Sequence, residues 1–330
     1  MTGYILRRLA QIPVMLFLVS IVSFTIIQLP PGSFIEQRIV ELQTIGGDAA
    51  SSIVQVEQLK ARYGLDKPAW QQYVMWIWGI VSRGDFGESF AYNREVTQII
   101  WSYLGYTVVV SACSFLMVYL IAVPLGIWAA TRKGCWPDHA VAALSFIGMS
   151  VPEFLLALAL LVVGVVCLDY AFIGLFSPQF QFAPWSWAKF IDFLKHLPIP
   201  AGLVAVNGTA GIIRITRANM LEALGQQYIT AAAAAGLPGR VVVGRYAARM
   251  AVNPLVSIIG MSLPGIFSGS TIISIVMNLP TAGLLLFQSL KTQDMYLAGS
   301  LILMFSLLLL IGNLLADIAL AVIDPRIRYD

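Results

Sequence analysis

Charged residues are scarce in this chain. Lysine, arginine, aspartate and glutamate together make up 11% of its 330 residues, whereas 58% are hydrophobic. A soluble domain carries about 25% charged residues, because its surface must be solvated. The scarcity of charge therefore excludes an ordinary soluble domain and predicts an all-α integral membrane protein.

Motifs for catalysis and metal binding are also missing. The chain has no Gly-x-x-x-x-Gly-Lys-Ser/Thr loop to hold ATP phosphates. It has no Ser/His/Asp arrangement, no paired carboxylates on one helix face and no Cys-x-x-Cys pair. The few cysteines and histidines are not at ligand spacing: Cys113, Cys135, Cys167, His139 and His196. The sequence therefore predicts no catalytic residue, metal site, disulfide framework or cofactor, and it gives no indication of nucleic-acid binding.

Long uncharged stretches are abundant. A bilayer core of ~30 Å needs roughly 20 apolar residues per helix. Six predicted spans meet this length: 8–30, 104–130, 140–167, 197–216, 252–278 and 295–322. The first could be read as a signal peptide after Arg7 and Arg8, but its apolar part is too long and no small-x-small cleavage site follows. We therefore expect an uncleaved first span.

The basic residues predict the orientation. With the N-terminus inside, the cytoplasmic pieces 1–11, 131–138, 214–249 and 323–330 carry eleven Lys/Arg against four acids. The outer pieces carry nine basic residues against eleven acids, over a greater length. Because Lys and Arg are enriched on the cytoplasmic side of spans, both termini are predicted to be cytoplasmic.

The predicted spans define the domain organisation. The expected parts are an N-terminal helix (1–32), an extracytoplasmic insertion (33–103), a five-helix core (104–322) that includes a cytoplasmic segment (217–252), and a short tail (323–330). Within the insertion, two short helices are expected, at Val54–Tyr63 and Pro68–Ile80. The second is rich in Trp and Tyr, which favours a position at the membrane–water boundary over stacking on a ligand.

A run of five alanines, Ala231–Ala235, lies in this predicted cytoplasmic segment and is followed by Gly236 and Leu237. Alanine is the strongest helix former, and small side chains let another protein approach the backbone closely. The glycine then lets the chain turn. The pattern predicts a short helical knob that fits a groove on a soluble partner, with a lipid-contacting loop helix as the alternative.

Several motifs resemble those of the dipeptide/oligopeptide-type permeases of ABC importers, and they occur in that family's order. At the N-terminus these are Tyr4–Pro13 and Leu29-Pro-Pro-Gly32; in the insertion, Tyr63–Pro68, Gln72-Tyr73 and Arg83–Ser89; then Arg214-Ile-Thr-Arg217, Tyr228, Gly236-Leu237 and Asp324–Arg328. The resemblance covers nearly the whole chain. It implies a type I ABC-importer permease fold with six transmembrane helices in the inner membrane of a prokaryote.

The resemblance also implies partners. Such a permease pairs with a second homologous permease, docks on two cytoplasmic ATPase subunits that bind ATP and Mg, and receives substrate from an extracytoplasmic binding protein. The helix at about Thr230–Leu237 would sit in an ATPase cleft and couple ATP hydrolysis to the spans, which makes the cytoplasmic segment 217–252 the expected coupling region. The residues implied in coupling are Tyr228, Thr230, Ala231, Ala232, Gly236, Leu237, Arg240 and Arg245. Since residues 231–235 lack the charges that the family usually carries, polar contacts fall to Arg240, Arg245 and Arg249.

Four polar residues are predicted to line a translocation pathway: Ser150, Glu153, Ser268 and Asn278. Glu153 follows Pro152 in the middle of the third predicted span, where a carboxylate is costly unless it faces a cavity or a partner. The alternative is a protonated Glu153, or one satisfied by a neighbour such as Ser150. The acceptor motif Asn207-Gly208-Thr209 falls inside a span and is discounted as a glycosylation site.

The sequence does not determine which substrate is carried. The resembled family carries dipeptides and oligopeptides and also opines, nickel chelates and some sugars, so peptides are the default. A subunit of an export complex is the nearest rival, but the insertion and the C-terminal motif disfavour it. No internal repeat or filter motif indicates a secondary transporter or a channel.

Overall fold

The computed structural model describes residues 2–28, 67–262 and 271–323, and these ranges are mostly helical. The helices, numbered in chain order, are α1 Thr2–Gln28, α2 Ala69–Arg83, α3 Val96–Thr131, α4 Trp136–Ser150, α5 Glu153–Leu168, α6 Trp187–His196, α7 Pro198–Leu224, α8 Gln227–Ala234, α9 Gly239–Val241, α10 Ala248–Ser262, α11 Thr271–Val276, α12 Ala282–Lys291 and α13 Met295–Ile323. A π-helical turn, Val242–Ala247, joins α9 to α10. A short antiparallel ladder pairs Glu88–Ser89 with Arg94–Glu95.

Four helical stretches of the described chain are long and apolar enough to cross a membrane: Arg7–Gln28, Val96–Thr131, Trp187–Leu224 and Met295–Leu315. A fifth arises if α4 and α5, which meet at an angle of 99°, form one broken span. The fifth predicted span, 252–278, includes residues 263–270, which lie outside the described ranges. A multi-pass helical membrane protein is therefore confirmed in general form.

The third predicted span, 140–167, is not one continuous helix. Helix α4 ends at Ser150, Val151 is extended, and α5 begins at Glu153 after Pro152. Proline lacks an N–H and disfavours helical geometry in the residue before it, so the chain bends there. Glu153 consequently lies in the first turn of a helix and not in the middle of one.

The described chain divides into two units. The first is built on Tyr106–Gly283, with α7 packed against α4 and α10. Glycine permits the close approach of α3 to α7, since a Cβ at Gly126 would stand 2.6 Å from Thr216 Cβ. Small residues at such crossings let helix backbones approach closely within a membrane.

The second unit comprises Leu6–Gly105 and Leu284–Leu308. Helix α2, which confirms the predicted helix at Pro68–Ile80, packs along α1: the hydroxyls of Ser20 and Tyr73 are 2.7 Å apart, and Trp76 stacks on Phe24. Trp76 is buried, whereas Trp70 and Trp78 are exposed. The predicted helix at Val54–Tyr63 lies outside the described residues.

Asp294 fixes the start of α13 in this second unit. Its fully buried carboxylate accepts hydrogen bonds from the Ser89 hydroxyl, from Ala91 N–H at 3.0 Å and from Leu297 N–H at 3.2 Å. The last of these caps the helix N-terminus. One side chain thus holds the short ladder against the first turn of α13.

Candidate functional site

The alanine-rich segment forms helix α8, which runs from Gln227 to Ala234, three residues earlier than the sequence predicts. Beyond Ala235, Gly236 adopts a left-handed backbone with φ of +81°. Gly236 N–H donates to Ala233 O at 3.0 Å, and Leu237 N–H donates to Ala232 O at 3.3 Å. This pair of bonds is the Schellman motif, which stops a helix at a glycine. The turn predicted at Gly236 is therefore present, with Pro238 directly after Leu237.

Helix α8 is attached through one side. Ile229 is buried, and Ala232 packs half-buried against the same apolar cluster as Met220 and Val242. The other predicted coupling residues of this segment are exposed: Tyr228, Thr230, Ala231, Gly236, Leu237 and Arg240. The helix therefore presents alanine and backbone outward over most of its surface.

A cleft of about 790 Å³ lies beside α8. It brings together two of the predicted coupling residues, Tyr228 and Arg245. The rest of its lining is Tyr246, Arg249, Met250 and Asn253. The sequence does not reveal this cleft, because the π-helical turn that carries Arg245 and Tyr246 has no sequence signature of its own.

An ion pair joins the first turn of α4 to α7, the helix that precedes α8. Arg217 donates from Nε to Asp138 Oδ1 at 2.5 Å and from Nη2 to Asp138 Oδ2 at 2.8 Å. Asp138 Oδ2 also accepts from Gly134 N–H at 3.0 Å. The two-pronged geometry is the one in which a guanidinium binds a carboxylate most strongly. Asp138 is a residue that sequence reasoning missed, since nothing in the local sequence marks it as the partner of Arg217, 79 positions away.

The predicted pathway residues are only partly brought together. Glu153 is half-buried, and the Asn207 side chain on α7 lies near it. The Ser150 hydroxyl instead donates to Phe146 O at 2.7 Å. Asn278 is exposed, with φ of +51°, and Ser268 lies outside the described residues. The Ser150 hydroxyl is therefore engaged with the backbone, and the polar side chain near Glu153 is the amide of the discounted Asn207-Gly208-Thr209 motif.

Titratable side chains do not form a metal site in the described ranges. No group of three or more His, Cys, Asp or Glu residues stands at metal-binding geometry there. The chemical capacity of the site is thus in its shape and charge: an exposed small-residue helix, a cleft with two arginines, and a carboxylate beside a bend.

Two family comparisons match most of the sequence. The family of binding-protein-dependent transport system inner membrane components matches residues 122–329, and the N-terminal family of such membrane components matches residues 1–111. The chain belongs to this transport family. The expected resemblance to binding-protein-dependent permeases is confirmed, and the protein is a multi-pass component of an inner membrane transport system.

Relatives of this family member match it from end to end. An oligopeptide transport system permease of Bacillus subtilis is 31% identical over 100% of both chains. A dipeptide transport system permease of Escherichia coli is 29% identical over 100% of this chain and 99% of its own. The similarity therefore covers the insertion and the coupling region alike.

Proposed function

We propose that this chain is the permease subunit of an ABC importer for peptides. With a second homologous permease it forms an alternating-access pathway of six spans per subunit, with both termini cytoplasmic. Two separate ATPase subunits supply ATP and Mg chemistry, and a binding protein delivers the substrate outside. The full-length similarity to permeases named for oligopeptide and dipeptide transport supports peptides over opines, nickel chelates or oligosaccharides, and import over export.

The observation that carries the proposal is the exposed helix α8. It is held by Ile229 and half-buried Ala232, ends in a fixed turn, and offers no bulky side chain over its alanine face. Such a helix can enter a groove on an ATPase without clashes and can transmit the movement of that groove to α7 and α10. It is the element on which a distant nucleotide could act.

The test is transport by the complete complex, reconstituted with both permeases, both ATPases and the binding protein. Gly236→Trp and Ala231→Arg should each abolish peptide-stimulated ATP hydrolysis, because bulk or charge on the exposed face of α8 cannot enter a shaped groove. Gly134→Trp is a matched control for Gly236→Trp: Gly134 also has a left-handed backbone, with φ of +76°, and nothing lies within 4 Å of its added Cβ. Wild-type coupling in both α8 variants would contradict the proposal.

We also propose that Glu153 faces the pathway at the bend between α4 and α5. Its half-buried carboxylate near Asn207 sits in the first turn of α5, where the helix dipole favours negative charge. Glu153→Gln should then slow transport of cationic peptides more than of neutral ones, with unchanged expression. Glu222→Gln, at an exposed position, is the control. A change in thermal stability without a change in substrate preference would assign Glu153 to packing.

A further inference from the structure

The cleft beside α8 has a purely cationic charge. Arg245 and Arg249 line it together with the polar side chains of Tyr228, Tyr246 and Asn253. Neither arginine forms an ion pair or hydrogen bond with another described residue. Other arginines of the same unit have partners: Arg217 binds Asp138, and Arg214 lies over the Phe146 ring at 5.3 Å.

The fold holds both arginines on one face. In the π-helical turn, Val242 and Ala247 are five residues apart yet both buried, and Ala251 continues the buried side one helical turn later. Arg245 and Arg249 are four residues apart, and both lie on the opposite, exposed side. Extra π turns occur frequently at functional sites, where they redirect side chains. The packing of the buried side therefore fixes the direction of the two charges.

No carboxylate stands close to these two arginines in the sequence. Not one Asp or Glu occurs between Glu222 and Asp294. Two guanidinium groups that converge on a cleft repel each other, and an anion placed between them removes that repulsion. Guanidinium binds carboxylates in a two-pronged geometry, and tyrosine and asparagine can donate further hydrogen bonds. The cleft thus has the chemistry of an acceptor for acidic side chains.

From this we infer that the ATPase subunit docks on this permease through carboxylate side chains that enter the cleft between Arg245 and Arg249. The inference rests on the proposed function, because Tyr228 belongs to α8 and also lines the cleft. A partner whose groove encloses α8 therefore reaches the arginines as well. The positive charge is on the permease and the acidic residues are on the ATPase.

The experiment measures binding of the purified cognate ATPase subunits to the permease pair in nanodiscs of zwitterionic lipid. Arg245→Glu and Arg249→Glu should each weaken binding by about tenfold or more, since like charges then face each other. Lys133→Glu is the control, because Lys133 is an exposed cation in the turn between α3 and α4, is not among the predicted coupling residues and does not line the cleft. Rising salt should weaken wild-type binding, and the double variant Arg245→Gln with Arg249→Gln should reduce that dependence.

Unchanged affinity in the variants together with salt-independent binding by the wild type would overturn the inference. An arginine effect that appears only when anionic phospholipid is added would assign the cleft to a lipid headgroup and also overturn it. The wild-type salt titration stands even if a variant fails to fold. If Gly236→Trp uncouples transport while the arginine variants bind normally, the proposed function survives and this inference fails.

Discussion

At the scale of single residues, the few charged side chains of this chain have sharply different environments. Asp138 is 4% exposed and is held by both prongs of Arg217, whereas Arg245 and Arg249 have no partner among the described residues. In a chain with 11% charged residues, a paired charge stabilises the fold and an unpaired one is available to another subunit. The contrast separates structural arginines from those proposed to dock.

Arg217→Ala is expected to destabilise the protein. Removing the guanidinium leaves the buried Asp138 carboxylate unpaired. Loss of one partner lowers the free energy of unfolding by about 3 kcal/mol in a fully buried pair. We expect about 2 kcal/mol here, because the Arg217 side chain is 31% exposed. Thermal unfolding in detergent measures this loss. Arg240→Ala, at an exposed arginine, should leave the midpoint within error. Equal midpoints for both variants would show that the ion pair contributes nothing.

Asp294 should make the stability of the fold depend on pH, and its contribution should decrease as pH rises. Burial raises the pKa of Asp294 above its usual 3.8, against the opposing hydrogen bonds from Ser89 and the backbone. The folded state therefore holds the proton more tightly than the unfolded chain does. This contribution to stability is fully present below about 3.8 and is lost as pH rises through the higher, folded-state pKa.

The measurement is the unfolding midpoint across that acidic range for wild type and Asp294→Asn. The variant should lose the decline in stability that wild type shows as pH rises. Asp85→Asn, in an exposed loop of the same unit, controls for the removal of one negative charge. A decline that persists unchanged in Asp294→Asn would exclude Asp294 as its source.

At the scale of helices, glycine determines which faces can meet. Gly126 brings α3 against α7 so closely that an added Cβ would lie 2.9 Å from Thr216 Cγ2 and 3.0 Å from Ile213 O. The obstructing atoms include backbone, which cannot move aside cheaply. The crossing therefore depends on the absence of a side chain.

Gly126→Ala is expected to destabilise the protein by about 1–3 kcal/mol through overpacking. Gly105→Ala is the matched control in the same helix, because nothing lies within 4 Å of its added Cβ. It should be neutral or slightly stabilising, since alanine favours the helix by about 1 kcal/mol over glycine. Parallel unfolding measurements that rank the two variants in the reverse order would contradict the crossing geometry.

Sequence patterns predicted the helices better than the bends and the side-chain contacts between them. The alanine run and Gly236 gave α8 and its turn, because helix propensity and a left-handed glycine are local properties. The bend at Val151 could have been read from Pro152, yet the apolar content on both sides favoured one span. Asp138 with Arg217 and Glu153 with Asn207 depend on how α4, α5 and α7 cross, which no local pattern records.

At the scale of the whole molecule, the predicted orientation of the chain in the membrane rests on the asymmetry of its charges and can be tested with its native thiols. Cys135, in the turn between α3 and α4, is exposed and lies in a predicted cytoplasmic piece. A membrane-impermeant maleimide should therefore label it only after cells are permeabilised. Labelling of Cys135 in intact cells would reverse the predicted topology.

Two variants complete the labelling experiment. Cys135→Ser should remove the signal, which separates it from Cys113 and Cys167. Gln181→Cys in a background free of the native cysteines places a thiol in the exposed segment between α5 and α6. This thiol should react in intact cells, because that segment is predicted to be outside.

The π-helical turn also places one residue more between Val242 and Ala247 than an α-helix would need. An α-helical turn closes with one residue fewer, so an in-frame loss of a single codon here would yield a regular helix without breaking it. In that helix Val242 and the alanine now at position 247 would stand four residues apart, and at 3.6 residues per turn both would still lie on one face. Val242 would keep its buried position and α8 its direction, so this deletion should disturb the fold less than the loss of one residue inside α10, which would rotate the segments on its two sides by about 100° relative to each other.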